Sequence, residues 1–577
     1  MEKEIQEKID LWLSNEFNKE THEEIKKIQA SGDEKELYDR FYKNLDFGTG
    51  GLRAKMGAGN NRINIYTIAM ATQGLANYIK SVNEQAAKKG VVIAYDSRNN
   101  SALFAMRAAM VLAGNGIKAY LFKELRPTPL LSFAIKKLKT ISGIVITASH
   151  NPPAYNGYKV YWEDGAQVTP PHDKNIIKCV NNIAGICDVH VMERELAVKK
   201  NLIEILDEKI DDAYYEAIAK LSLNLENNKK HSKMKIAFSP LHGSGVTMVE
   251  KALNRFGFNN ISIVESQREP NGNFPTVKYP NPEEPDAMEE VVKLARKENA
   301  VIAFATDPDA DRIGLAVKDE TGIYRLFNGN QVAALLAYYV LAKAKENGTL
   351  VPQRDFLIKT IVTTDLIKKI SSSFNVDCLE VLTGFKWIGL KIKELQDEGS
   401  RSFLYGGEES YGYLLGSLSR DKDAIIISAL IAEAAAYAAS KKMNLFTMLD
   451  EIYKKYGYYL EKLKSLTFDG FEGIEKIRTI MKALKEHTPS KIGNSFVKEL
   501  KDYNLGENGL PKSNVLLLTL DDGTKIFARP SGTEPKIKFY FMTHSEPCAL
   551  DLISIKNKTE EKLNSIINSF LEIVNKI

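Results

Sequence analysis

Short apolar runs and helical apolar spacings alternate along most of the chain. Thr67–Ser81 has apolar residues at helical spacing, Val91–Tyr95 is a continuous apolar run, Ser101–Ala113 is helical again, and Lys118–Phe122 is a further run. Short runs rich in β-branched residues read as buried strands, and the longer periodic stretches between them as helices. The alternation continues with strands at Ile144–Thr147, Lys235–Phe238 (followed by a helix from Val246), Val301–Ala305, Phe356–Ile361 and Phe403–Tyr405, and with helices at Gln331–Lys345 and from Ala424. This order predicts parallel, doubly wound α/β sheets. Two segments depart from it. Ile5, Ile9, Trp12 and Leu13 stand among many charges, which predicts an amphipathic helical extension over 1–40. From Tyr456, a helix at Lys476–Glu486 and strands at Val515–Leu520 and Lys525–Ala528, joined by the turn Asp521–Thr524, predict a smaller α+β unit. At 577 residues the chain exceeds a single core. The expected division is 1–40, three α/β units at 41–208, 209–323 and 324–455, and the α+β unit at 456–577. The charged stretch Val191–Leu221 reads as a helical exit from the first unit. Residues do not repeat visibly between units; only the organisation does.

Composition narrows the class. Hydrophobic residues make up 44% and charged residues 26%, as in soluble globular proteins. Seventy-eight basic residues against 74 acidic ones leave a net charge of +4 with no basic stripe, which argues against nucleic acid as the main partner. Lys136-Lys137 and Lys229-Lys230 read as solvated faces. Cys179, Cys187, Cys378 and Cys548 lack C-x-x-C spacing, so reduced thiols in a cytosolic protein are expected rather than disulfides or a zinc site. The charged start M-E-K-E-I-Q-E-K-I-D does not resemble a secretory signal. The apolar stretches Val332–Ala342 and Ala424–Ala439, the latter interrupted by Glu433, are too short to span a bilayer. A cytoplasmic enzyme of small molecules, with neither membrane nor nucleic-acid partner, is the expectation.

Candidate chemistry follows the strands, where open α/β sheets place their sites. After Ile144-Val145-Ile146 comes T-A-S-H-N-P-P, in which two prolines halt regular structure and leave Ser149 beside His150 and Asn151. Such a serine in isolation is more often a solvated turn residue than a nucleophile. The sharpest motif is T-D-P-D-A-D-R (Thr306–Arg312), with Asp307, Asp309 and Asp311 at alternate positions. Three carboxylates this close repel one another without a cation, and Mg²⁺ favours such oxygen ligands. An EF-hand is excluded, since its sixth and twelfth positions would be Arg312 and Lys318.

The remaining loops add cations, hydroxyl binders and anion sites. F-G-T-G-G-L-R offers Arg53 for phosphate, and N-G-Y-K-V-Y puts Lys159 at the start of a strand. S-P-L-H-G-S-G contains His242, which reads more readily as a structural histidine than as a site residue. V-L-T-G-F-K-W-I-G supplies a Gly-turn, and G-G-E-E-S-Y-G supplies Glu408 and Ser410 to hold hydroxyls. R-D-K-D presents Lys422, equally a solvated helix start or a phosphate-binding or proton-exchanging amine. R-P-S-G-T-E-P-K groups Arg529, Ser531, Thr533 and Lys536 around Gly532 as an anion site without Walker spacing. Loops from four units forming one site imply a large central cleft.

In this order and spacing, T-A-S-H-N-P, D-P-D-A-D-R, G-E-E-S and R-P-S-G-T-E-P resemble the four signature loops of the α-D-phosphohexomutases. The resemblance covers nearly everything beyond the first forty residues. F-G-T-G-G-L-R-A-K-M-G and G-E-E-S-Y-G are most similar to the phosphoglucomutase branch, which also holds phosphopentomutases and glucose-1,6-bisphosphate synthases. Other branches usually differ at Glu409, which ranks phosphomannomutase lower. The resemblance implies three related α/β domains and a smaller fourth. It further implies that Ser149 is a phosphoserine completing a single Mg²⁺ shell with Asp307, Asp309 and Asp311. Thr383, Gly384, Glu408 and Ser410 would hold the sugar, Arg312 the substrate or phosphoserine, and Arg529, Ser531, Gly532 and Thr533 the non-reacting phosphate. Lys159, Lys422, His150 and Arg53 are the candidates for proton handling, the two lysines first by motif position. The implied activity interconverts glucose 1-phosphate and glucose 6-phosphate through glucose 1,6-bisphosphate, also its activator, in a monomer or homodimer. A phosphosugar-binding regulator without catalysis and a phosphatase with an aspartate nucleophile remain as rivals.

Overall fold

The computed structural model describes residues 3–45, 51–397, 399–468, 470–506, 509–531, 536–547 and 551–577. Its first sheet contains β1 (Gly51–Lys55), β2 (Val91–Tyr95), β3 (Ala119–Phe122), β4 (Ser142–Ile146), β5 (Tyr155–Trp162) and β6 (Ile203–Leu206), in the spatial order β1-β5-β4-β2-β3-β6. β4, β2, β3 and β6 run parallel, whereas β5 is antiparallel to both β4 and β1. The sheet is therefore mixed rather than wholly parallel. The link 147–154 is too short for a crossover helix, so the chain can only turn back beside β4.

The same device recurs in the next two units. In the second sheet, β7 (Ile236–Ser239), β8 (Ile261–Ile263), β9 (Ile302–Thr306), β10 (Ile313–Lys318) and β11 (Tyr324–Phe327) take the order β11-β10-β9-β7-β8, and β10 returns antiparallel to β9. The third has β12 (Asp355–Thr360), β13 (Asp377–Val381), β14 (Ser402–Glu408) and β15 (Gly412–Leu415) in the order β13-β12-β14-β15, with β15 antiparallel to β14. Each signature loop thus joins a buried strand to an antiparallel neighbour. That is the structural content of the repeated organisation. The fourth sheet, built from β16 (Tyr458–Thr467), β17 (Lys491–Ile492), β18 (Ser495–Asp502), β19 (Leu516–Leu520), β20 (Lys525–Pro530) and β21 (Lys536–Ser545), is antiparallel throughout, and its anion loop joins β20 to β21.

Two strands escaped the sequence pattern. β6 lies inside Val191–Leu221, between helices Arg194–Lys199 and Lys209–Ala219. Four residues are too few to show a period, and pairing with β3 (Ala119 opposite Ile203) is what makes them a strand. β1 is hidden behind its glycines, and it brings Gly51 opposite Lys159, which lies within β5 rather than at its start.

One apolar cluster runs through the first three units, from Val92 and Phe133 through Phe304 to the helix Ala424–Ser440. That helix is apolar on all sides and buried, as expected for a core element. Glu433 within it accepts from Ser222 Oγ, Asn228 Nδ2 (2.6 Å) and the amides of Leu223 and Asn224, which satisfies its buried carboxylate. Among the described residues no single helix is long and apolar enough to cross a membrane. Lys136 is not a solvated residue. Its amine donates to Ser417 O in the third unit, and burial lowers its pKa to about 8. Cys179, Cys187 and Cys378 are free thiols, and Cys548 lies outside the described residues.

The N-terminal helices Lys3–Trp12, Lys19–Ser31 and Glu34–Phe41 close over their own small core, in which Ile5, Ile9, Trp12, Ile25 and Phe41 meet Ala58 and Tyr66 of the first α/β unit. Trp12 stacks on Phe17 at 4.5 Å and meets Phe41 and Tyr66 edge-on. Trp12→Ala is expected to cost about 3–5 kcal/mol, read as a lower urea midpoint for the transition that includes this unit.

Candidate active site

Ser149 sits three residues beyond β4, 3% exposed and in the left-handed region at φ 50°. Few non-glycine residues adopt this backbone, and here the loop's hydrogen bonds hold it. The Ser149 amide donates to Thr147 Oγ1 (2.8 Å), which donates onward to Asp96 Oδ2 (2.6 Å). The Ser149 hydroxyl donates to Asp307 Oδ2 at 2.7 Å and lies 3.1 Å from His150 Nδ1. Burial and the nearby Arg312 and Arg53 guanidinium groups push His150 well below the usual imidazole pKa, so its ring is neutral.

The aspartate loop follows β9 directly. One carboxylate oxygen from each of Asp307, Asp309 and Asp311 lies within 4.8 Å of the other two, and all three residues are buried. Burial and the two neighbouring carboxylates push Asp307 well above the ordinary carboxylate pKa. Asp309 Oδ1 and Asp311 Oδ1 are buried without a hydrogen-bond partner. Buried carboxylate oxygens left open toward a common point fit a hard divalent cation such as Mg²⁺. The loop is braced from outside. Ser244 donates through both its amide and its hydroxyl to Pro308 O, each at 2.8 Å, and Thr128 Oγ1 donates to Asp309 Oδ2 at 3.0 Å. His242 takes no part in the cleft: its ring contacts Glu269 O and Thr276 Oγ1, which pins the Pro-rich loop of the second unit.

Two lysines converge on these carboxylates from other units. Lys159 Nζ lies 2.8 Å from Asp309 Oδ2 and 3.5 Å from Asp311 Oδ2, and Lys422 Nζ lies 3.3 Å from Asp311 and 3.1 Å from Asp421. Burial opposes charge on both amines, but the carboxylates outweigh it and hold both pKa values above that of a free lysine. Lys422 is no solvated helix start. Its stem crosses the backbone of Gly412, its amine stands over the Phe385 ring, and Tyr161 OH fixes the adjacent Asp421 at 2.6 Å. A Cβ at Gly412 would overlap Lys422 Cδ. Gly412→Ala is therefore expected to displace the amine and lower turnover about 100-fold, as read in a coupled mutase assay.

Between these groups and the fourth unit lies the loop after β14. Glu408 Oε1 accepts from the Gly384 amide at 2.8 Å, which links the Thr383–Gly384 turn to the G-E-E-S loop carrying Ser410. Glu409 turns away toward the end of β12, where Thr360 and Thr363 donate to its carboxylate at 3.2 and 3.3 Å. Arg312 borders the metal loop within 4.0 Å of both Asp311 and Glu283, and Arg53 donates to Asn151 Oδ1 at 3.2 Å. In the fourth unit Arg529 pairs with Lys538 across β20 and β21, and the Ser531 amide donates to Lys536 O at 2.7 Å. Burial lowers the pKa of Lys538, against the opposing pull of Glu283 and Glu409. Gly532 and Thr533, like Phe47–Gly50, lie outside the described residues.

Asp96, Arg98, Thr128 and Asp421 were not singled out from the sequence, although each follows a strand or flanks a motif residue. D-S-R-N directly after the apolar run Val91–Tyr95 was the signal available.

Fold and site together place a buried serine hydroxyl beside three clustered carboxylates at the ends of α/β strands, the arrangement of an enzyme site fitted to hold a cation. Residues 44–185, 212–322 and 328–456 match alpha/beta/alpha domains I, II and III of the phosphoglucomutase/phosphomannomutase family. The chain is 38% identical to a Staphylococcus haemolyticus phosphoglucomutase over 87% of its own length and 90% of the relative's. It is 34% identical to the mouse glucose 1,6-bisphosphate synthase (98% and 94% covered) and 33% identical to a Pongo abelii phosphopentomutase (97% and 95% covered). The open form of Paramecium parafusin superposes with a TM-score of 0.70 at 18% identity, covering 92% of this chain and 96% of that one. The protein belongs to the phosphohexomutases, isomerases that move a phosphoryl group within a sugar phosphate.

Proposed function

We propose that the protein is a phosphoglucomutase interconverting glucose 1-phosphate and glucose 6-phosphate, with Ser149 as its phosphoryl carrier. The observation that carries this reading is the Ser149 hydroxyl, 2.7 Å from Asp307 and beside the open oxygens of Asp309 and Asp311. Mg²⁺ held by Asp307, Asp309, Asp311 and a Ser149 phosphate oxygen would supply charge neutralisation for the transferring group. The sugar hydroxyl oxygen bonds to phosphorus as the bond from Ser149 Oγ breaks, giving glucose 1,6-bisphosphate. Lys422 and Lys159 are the protonated amines placed to hand a proton to the departing Ser149 Oγ, and the sugar hydroxyl proton recharges the amine that has given one up. Neutral His150 adjoins Oγ, while Arg53 and Arg312 flank the transferred group. The bisphosphate then reorients, and its other phosphate returns to Ser149. Through both halves, Thr383, Gly384, Glu408 and Ser410 hold the sugar, and Arg529, Ser531, Gly532 and Thr533 hold the distal phosphate.

The 38% identity to a bacterial phosphoglucomutase favours glucose. A pentose reading is second, supported by the phosphopentomutase and phosphoribomutase relatives at 32–35% identity. Coupled assays with Mg²⁺ and catalytic glucose 1,6-bisphosphate separate them. Glucose 1-phosphate is expected to give a kcat/KM about tenfold or more above ribose 1-phosphate. A higher value for the pentose assigns the protein to that second reading.

A further inference from the structure

Beneath the Ser149 loop lies a buried guanidinium that the mechanism above does not use. Arg98 and Asp96, both with fully buried side chains, stand 3.4 Å apart at the C-terminal end of β2. Arg98 Nη2 donates to Ser149 O (2.5 Å) and to Asn151 O, and Nη1 donates to Pro152 O (2.9 Å) and Tyr155 O (3.0 Å). Asp96 accepts from Thr147 Oγ1, Ser101 Oγ and the Arg98 amide. One forked cation therefore ties four carbonyls spanning the whole loop that carries Ser149. Lysine, whose three donors radiate from one nitrogen, cannot span all four carbonyls.

The outer face of that guanidinium is covered by another unit. Phe274, from the Pro-rich loop of the second unit, is buried with its ring 5.1 Å from Arg98 Cζ and its backbone at φ 45°. A phenylalanine rarely adopts that backbone, and its surroundings must hold it there. Asn99 Nδ2 donates to Asn273 Oδ1 at 2.8 Å, and a Cβ on Gly272 would overlap the Asn99 amide nitrogen. The Phe274 loop is anchored by His242, and Gly243 packs so closely on Pro308 that a Cβ there would overlap it. A continuous packed path thus joins the aspartate loop to the underside of the serine loop.

From this we infer that Arg98, clamped by Phe274, is a positioning residue that fixes the distance between Ser149 Oγ and the Asp307–Asp311 carboxylates, and with it the choice between phosphoryl transfer to sugar and loss to water. The inference rests on the reading of Ser149 as phosphoryl carrier. When Oγ is displaced, water attacks phosphorus instead of the sugar hydroxyl, the P–Oγ bond breaks, inorganic phosphate leaves and a water proton passes to Oγ.

The test uses full-length wild type, Arg98→Lys and Phe274→Leu, each loaded with glucose 1,6-bisphosphate and Mg²⁺. Mutase kcat and KM and phosphate release from the loaded enzyme are measured. For Arg98→Lys, kcat is expected to fall about 30- to 100-fold, with KM within about threefold of wild type and the ratio of hydrolysis to transfer raised about fivefold or more. Phe274→Leu should move the same quantities in the same direction, with kcat down about three- to tenfold. Misfolding alone would lower kcat and phosphate release together and leave their ratio fixed, which overturns the inference, as does a wild-type ratio in both variants. If Arg98→Lys does not fold, Phe274→Leu decides alone by the same ratio. Wild type that carries no phosphate on Ser149 removes the underlying reading, a distinct result.

Discussion

Ser149→Ala is expected to lower mutase turnover by about 10⁴-fold or more, while the protein stays folded and still binds sugar phosphates. Alanine deletes only Oγ, and the loop's shape does not depend on that atom. Arg98 grips backbone carbonyls, and the amide of residue 149 still reaches Thr147. Stability should change little, because the lost bond to Asp307 involves a carboxylate that repulsion already disfavours in its charged form. The expected pattern is a near-complete loss of kcat in the coupled assay with an unfolding temperature within a few degrees of wild type. A mutase that tolerates Ser149→Ala excludes the serine as carrier.

The second large effect concerns the cation. Chelation is expected to lower turnover about 10³-fold, with recovery on adding Mg²⁺, since neutralising the transferring group contributes several kcal/mol to catalysis. Asp309→Asn should reproduce the loss and resist recovery. The stability signs differ and can be worked out. In the ion-free protein, Asp309 is one of three mutually repelling buried carboxylates, although Lys159 holds its pKa well below the ordinary value. Its charge is thus net favourable in the folded state despite that repulsion, and Asp309→Asn should lower the unfolding temperature of the ion-free protein. Mg²⁺ is expected to raise the unfolding temperature of wild type by binding its folded form, whereas Asp309→Asn should show no such rise. Thermal melts across a Mg²⁺ titration check both signs.

Much of the fold could be read in the chain because strand and helix periods differ and each signature loop starts where an apolar run stops. The antiparallel returns β5, β10 and β15 were less legible, although the shortness of the loops before them demands a reversal. Individual site residues were legible wherever their side-chain type is costly to bury without a partner, as with the three aspartates. Support residues were not. Arg98 looks like one surface arginine among many until the four carbonyls of the 149–155 loop are seen around it. Lys136 and Thr128 acquire their roles from contacts with the third and second units, which no local pattern encodes. Lys422 had even odds in the sequence because its meaning depends on Asp311 and Gly412, each brought to it by folding.

The central claim is that Ser149 carries a phosphoryl group between sugar positions. Intact-mass measurement and peptide mapping after incubation with glucose 1,6-bisphosphate and Mg²⁺ test it most directly. The predicted result is one phosphoryl group per chain, located on Ser149 and discharged by added glucose 1-phosphate with formation of the bisphosphate. Phosphate on Asp307, Asp309 or Asp311, or an active enzyme unmodified at Ser149, would contradict it.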